Sequence, residues 1–245
     1  MTYTIMGRCQ HTGRIGYGIA TVSLNVGVVC PAVSRSGDLI VSQAYTNRRL
    51  KAEGARRLDD GLSAEHLMAH LETTDRHFSY RQTGILKRNG DLAAHSGDHC
   101  KDWKGHITGD NWLAMGNVLA DGDVVAAMGR AFLDSATEPL HERLMRALEA
   151  GRDAGGQSDD AGRHYTERSA RVATYGWDDD GYPELSEIDV RVDVHDTAVA
   201  ELRRQLDIIA PLAPYQHLKT DDPSSLVGSD VWEAQHLPPV PPRFD

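Results

Sequence analysis

The stretch that decides the fold is residues 1–21, MTYTIMGRCQHTGRIGYGIAT. Residues 2–8 alternate in an extended pattern rich in β-branched and aromatic side chains, as a strand does. HTGR follows, with Gly13 supplying a turn, and the extended pattern resumes in IGYGIATVSLNV. A hairpin therefore stands at the start of the chain, and it places Thr2 first behind Met1. Removal of Met1 would expose a residue carrying both a hydroxyl and an α-amine. That pair can serve as nucleophile and base together. The amine has an ordinary pKa of about 7.7–8.0, so a useful fraction is neutral near pH 7.

Outward from the hairpin, GVVCPAV and DLIVSQAY read as two more short strands around SRSGD. Four strands in so short a span predict antiparallel pairing, because parallel strands need long crossovers. Helical periodicity then takes over in NRRLKAEGARRLDDG, which ends at Gly61, and in SAEHLMAHLETTD. There Ser63 is the expected N-cap and His66 stands where a capping box carries Glu or Gln. YRQTGILKR and LAAHSG read as a hairpin turned at Asn89-Gly90, and NWLAMGNVLA as another strand. Helices are expected near 121–135, 138–151 and 196–210. RSARVATYGW and LSEIDVRVDV read as late strands around DDDGYP, and 151–163 as a polar, Gly-rich loop. Blocks of strands and helices in this order predict an α+β fold over 1–210. Residues 211–245 change character, and LPPVPPRF is polyproline-like. They are expected to form a tail packing on the domain or on a neighbouring subunit.

The chain has 245 residues, 40% hydrophobic and 25% charged, ordinary for a globular protein. Its 26 basic residues face 36 acidic ones, a net charge of −10. Nucleic acid and anionic membranes call for a basic face, so neither is an expected partner. The run Arg48, Arg49, Lys51, Arg56, Arg57 is diluted by Glu53, Asp59 and Asp60 and reads as a solvated helix face. Three cysteines make no disulfide framework. The start lacks the basic-then-apolar pattern of a signal peptide, and no apolar run reaches the ~18–20 residues of a membrane span. The expected location is cytoplasmic.

P-loop, dinucleotide-binding, G-x-S-x-G and H-E-x-x-H signatures are missing. The densest set of metal-ligand types is HSGDHCKDWKGH, with His95, Asp98, His99, Cys100, Asp102 and His106. Such ligands suit zinc, but the spacing matches no standard site, and polar turn residues around a buried Cys are the competing reading. No metal or other cofactor is expected. Gln43, Asn47, Gln82 and Asn117 stand at the ends of expected strands, where side-chain amides serve either as turn formers or as oxyanion and substrate contacts.

Taken in order, the opening 20 residues, VGVVCPAV, DLIVSQAYTN, GLSAEHLMAHL, YRQTGIL, HSGDHCKDWKGHITG, MGNVLA, the EAG…AGG loop and RVDVHD resemble the bacterial family known as domain of unknown function 1028. The resemblance covers about 1–210. That family is similar to the N-terminal nucleophile hydrolases, which implies a four-layer αββα sandwich of antiparallel sheets. It also implies Thr2 as the nucleophile of an amidohydrolase acting on a small amide or ureido C–N bond. Asn117 and Gln82 are then the expected catalytic partners, and Thr21, Gln43, Asn47, Tyr80 and Arg81 the expected substrate-binding residues. A small-molecule substrate follows, and the Pro-rich tail and exposed sheet edges suggest a homodimer or larger homo-oligomer. The alternatives are a non-catalytic binding member, if Met1 is retained, or a metal-dependent hydrolase using the His95–His106 stretch. Here Thr4 replaces the family's usual Ser, and Gly155-Gly156 is followed by Gln157 and a longer acidic insert before Ser169-Ala170.

Overall fold

The structure, a computed structural model, describes residues 1–159, 161–176 and 188–238. The chain runs β1 (Thr2–Arg8), β2 (Ile15–Thr21), α1 (Val26–Val29), β3 (Pro31–Val33), β4 (Leu39–Ala44), α2 (Arg48–Asp59) and α3 (Ala64–Thr74). It continues with β5 (Arg81–Leu86), β6 (Leu92–Ser96), β7 (Lys104–Gly109), β8 (Trp112–Asn117), α4 (Asp123–Asp134) and α5 (Leu140–Asp153). The small hairpin β9 (Gln157–Ser158) and β10 (His164–Tyr165) precedes β11 (Ser169–Tyr175), β12 (Ile188–Val192), α6 (Ala198–Ile209), α7 (Ala213–Asp221) and α8 (Ser229–His236). This is the mixed α+β chain with antiparallel sheets that the sequence predicts.

One sheet has the order β12-β11-β2-β1-β8-β7, and a second the order β3-β4-β5-β6. The period-2 alternation of β1 explains how they stack. Tyr3 and Ile5 point to one side, into a buried cluster with Val125, Met128 and Phe132 of α4, Leu144 and Leu148 of α5, and Leu202 and Leu206 of α6. Met6 points to the other side, into a cluster with Leu39 and Val41 of β4, Leu86 of β5, and Leu113 and Met115 of β8. Ile40 and Ile85 leave the second sheet on its far side and meet Leu50 and Leu58 of α2 and Leu67 and Leu71 of α3. Each fully buried Leu or Ile contributes about 1.5–3 kcal/mol to this stacking. Close approach is built in at Gly84, where an added Cβ would lie 3.1 Å from Leu113, Met115 and Met6.

The helix caps follow local rules. Asn47 Oδ1 accepts from the amides of Arg49 (3.0 Å) and Leu50 (3.2 Å), starting α2. Ser63 Oγ accepts from the amide of His66 (3.2 Å), the expected cap, and meets its ring Nδ1 (2.9 Å), so the ring binds the Ser63 hydroxyl where Glu or Gln of a capping box would bind the Ser63 amide.

Two expectations need correction. GVVCPAV is not one strand, because Val26–Val29 is a single helical turn. Asn25 enters it at φ 63°, and Ser169 Oγ accepts from the Val26 amide at 3.0 Å, so a distant strand sets the local conformation. The end of HSGDHCKDWKGH, for which polar turn residues are one reading, opens the edge strand β7. The region after Pro211 contains α7 and α8, although its polyproline-like end and the DDDGYP turn lie outside the described residues. Among the described residues, no helix is long and apolar enough to cross a membrane.

Candidate active site

Thr2 lies on the central strand of the larger sheet, between β2 and β8. It pairs with Asn117, and because Tyr3 pairs with Ala20, Thr21 stands beside it on the other flank. The hydroxyls of Thr2 and Thr21 are 3.3 Å apart, and both donate to the carbonyl of Met1. Thr2 and Thr4 share one face of β1, toward the second sheet. That sheet meets them with side-chain amides.

Thr4 Oγ1 donates to Gln43 Oε1 at 2.6 Å. Gln43 Nε2 donates to Gln82 Oε1 at 2.7 Å and to the Thr2 carbonyl at 3.4 Å. Asn117 Nδ2 donates to the same two acceptors, at 2.9 Å and 3.5 Å. Gln82 Nε2 donates to Ser96 Oγ (2.7 Å) and to the carbonyls of Gly116 (2.8 Å) and Gly105 (3.1 Å). Gln43, Gln82 and Asn117 are buried. Buried amides must be paired, and here they pair with one another and with the Thr2 main chain. The network joins the two sheets and holds the Thr2 backbone.

Met1 and Asn117, the neighbours of Thr2 along and across the strand, line a cleft of about 170 Å³ with Ala44, Tyr45, Lys101 and Val118. Ala44 and Val118 hold φ of 67° and 57°. Such values are uncommon outside Gly and Asn, and for a β-branched Val they are a genuine outlier costing about 1–3 kcal/mol. Strain of this kind concentrates where function holds the backbone in place. The α-amine at the chain start sits below its ordinary 8.0, chiefly because burial disfavours its charge. Lys101 adds to the depression, while the Cys30 and Cys100 thiols oppose it. Burial pushes both thiols up.

The other sequence-predicted residues lie beside this centre. Tyr80 stacks on His99 at 4.6 Å and meets Tyr45 edge-on at 5.6 Å. Arg81 donates through Nε to Asp75 at 2.9 Å and through Nη1 to the Tyr45 carbonyl. Asn47 Nδ2 donates to the same Asp75 oxygen at 2.8 Å. Burial alone would raise the Asp75 carboxyl, but Arg81, Asn47 and the His77 amide outweigh it and bring it to about 2. The histidines of the 95–106 stretch are engaged separately. His95 stacks on Phe78 at 4.3 Å, His99 on Tyr80, and His106 Nδ1 meets Ser96 Oγ at 3.0 Å. Among the described residues, no three His, Cys, Asp or Glu side chains converge as metal ligands. Sequence reasoning missed Ala44, Tyr45, Lys101 and Val118. Nothing in their residue types marks a cleft wall, since the signal is a backbone angle and a loop position.

Comparison with known proteins places the chain in a family whose members share this fold and whose activity is open. Residues 2–202 match the family of unknown function DUF1028, and the chain belongs to it. A crystal structure of a Silicibacter pomeroyi protein of that family is similar at 28% identity, covering 90% of this chain and 87% of the other, with a TM-score of 0.73. The ancestral β-subunit Anbu of Yersinia bercovieri is far more distant. It shows 12% identity over 92% of this chain and 98% of its own, and its TM-score of 0.38 is too low to bear on function. No curated protein matches the chain.

Proposed function

We propose that this protein is an amidohydrolase whose nucleophile is Thr2, freed by removal of Met1, in an αββα sandwich of the N-terminal nucleophile type. The observation that carries the reading is the position of the Met1–Thr2 junction. Met1 and Asn117, the strand partner of Thr2, line the cleft, and the Thr2 and Thr21 hydroxyls are both on the Met1 carbonyl. While Met1 is attached, the Thr2 nitrogen is an amide without basicity, and Met1 occupies part of the cleft. Once Met1 leaves, the same nitrogen is an amine beside its own hydroxyl.

The chemistry then runs through this chain's groups. The neutral amine takes the Oγ1 proton, and Oγ1 attacks the carbonyl carbon of a small amide or ureido substrate. The C–N bond breaks, the ammonium protonates the departing nitrogen, and an acyl ester remains on Oγ1. Water, deprotonated by the same amine, hydrolyses the ester. Thr21 orients the Thr2 hydroxyl. Gln43, Gln82 and Asn117 position the Thr2 main chain, so their loss is expected to lower kcat through misplacement. A small-molecule substrate, a cytoplasmic location and a homo-oligomeric state belong to this proposal as well.

The test is intact mass followed by Thr2→Ala. The purified protein is expected one methionine lighter than its gene product. Thr2→Ala is expected to lose on the order of 10⁴–10⁶-fold in hydrolysis of the best amide or ureido acid in a panel. Retained Met1 with full activity, or an active Thr2→Ala protein, would overturn the reading. Retained Met1 without activity would favour a binding role.

A further inference from the structure

Next to the Thr2 cleft lies a second depression, of about 610 Å³, lined by Thr46, Asn47, Arg48, Arg49, Thr74, Asp75, Arg76, His77 and Arg81. Four arginines face one carboxylate. That carboxylate is already engaged by Arg81 and Asn47. Arg48 and Arg49 form no ion pair with any described residue, and Arg76 donates through Nε only to His77 Nε2, at 3.0 Å.

What sets these three apart is that they line one depression together. Several other arginines do meet carboxylates: Arg56 and Arg57 pair with Glu53, Arg171 with Asp189, Arg203 with Glu142 and Glu149, and Arg204 with Glu201. The amides that begin α2 do not account for an anion site, because Asn47 already caps them. The positive field comes from the guanidinium groups, whose planar donors match a carboxylate or phosphate in pairs.

The depression and the cleft are neighbours along the chain. Ala44 and Tyr45 line the cleft, and Thr46 and Asn47 line the depression. Between them runs a wall of rings, Tyr45 against Tyr80 at 5.6 Å and Tyr80 against His77 at 6.2 Å. Arg81 ties the Tyr45 carbonyl to Asp75, fixing the joint between the two spaces.

We propose that Arg48, Arg49 and Arg76 form an oxyanion subsite, so the substrate of the Thr2 centre is a small anionic amide whose carboxylate or phosphate lies in this depression. The inference rests on the reading of the cleft as the reaction centre, but binding of the anion alone does not require Thr2. It also moves the substrate contact: Arg81, expected from the sequence to bind substrate, is occupied by Asp75 and serves as a strut.

The test is calorimetric titration of the full chain with succinate and with inorganic phosphate, at low salt. The proteins compared are the parent, Thr2→Ala, and a variant with Arg48, Arg49 and Arg76 all changed to Ala. Because these arginines are exposed, the triple variant is expected to fold, and its circular dichroism and melting temperature check this. The expected result is binding of one or both anions to the parent and to Thr2→Ala, weakened about tenfold or more in the triple variant. Preference for succinate identifies a carboxylate substrate, and preference for phosphate a phosphorylated one. No binding to the parent, or equal binding to the folded triple variant, overturns the subsite. Loss of hydrolysis in Thr2→Ala with binding intact separates the subsite from the catalytic reading.

Discussion

At the scale of single residues, the site depends on a strand's alternation and on one charge. Thr2 and Thr4 face the gap between the sheets because they are two apart on β1. Tyr3 between them is committed to the helical side. Lys101 supplies the charge. It stands at the cleft and helps hold the start-of-chain amine below its ordinary value, second to burial among the depressing causes. Thr2 is itself buried, so the same direction is expected of the Thr2 amine that the proposed removal of Met1 would free. A base with a lowered pKa is neutral at lower pH, so the rising acidic limb of kcat/KM is expected below pH 8. Lys101→Ala removes a cation, raises the amine pKa and is expected to move that limb to higher pH. A limb that stays in place in Lys101→Ala, followed by pH-rate profiles, would deny Lys101 this role. Thr2 was legible as a residue. Lys101 was not, because an exposed lysine in a polar loop looks the same wherever the loop folds.

At the scale of elements, Asp75 is the joint where α2, α3 and β5 meet. It follows the end of α3, accepts from the N-cap of α2 through Asn47, and accepts from the first residue of β5 through Arg81. Its carboxyl is near 2 against an ordinary 3.8. A depressed pKa means the folded state binds its proton less readily than the unfolded chain. The stabilisation is therefore complete above about pH 4 and disappears as pH falls toward 2. Asp75→Asn is expected to melt lower than the parent at pH 5–7, with the two melting curves converging between pH 4 and 2. Parallel melting temperatures across that range would show that the joint does not depend on the charge. Helices α2 to α6 were readable because their apolar residues recur at helical spacing. Edge strand β7 was not readable, since Lys104, His106 and Thr108 lie on a strand whose side chains are largely exposed and need no alternation.

At the scale of the whole molecule, the buried clusters among the described residues reach along the chain to Leu206 of α6, with Ala210 packed partly against them. Helices α7 and α8 carry few buried side chains, Tyr215 being the buried one. A protein ending at residue 212 is therefore expected to unfold cooperatively within a few degrees of the parent. Light scattering on the two lengths reports whether 213–245 supports assembly. A truncated protein that fails to fold would show that the tail belongs to the core.

Much of this protein follows from the sequence alone. The opening hairpin, the antiparallel strands, the helical faces and the family are all carried by local periodicity, turn residues and ordered short motifs. The prominence of Thr2 has the same origin, because it depends only on position in the chain. What tertiary structure decided is what those residues do together. Gln43, Gln82 and Asn117 are far apart in sequence and became one network only when two sheets stacked. Arg81 was claimed by Asp75, and Arg48, Arg49 and Arg76 were left without carboxylates, by the way α2 and α3 pack. The left-handed turns at Ala44 and Val118 are held by their surroundings against their own preferences. Local pattern reports what a residue favours by itself, whereas partnership and strain are settled only by the neighbours that folding brings.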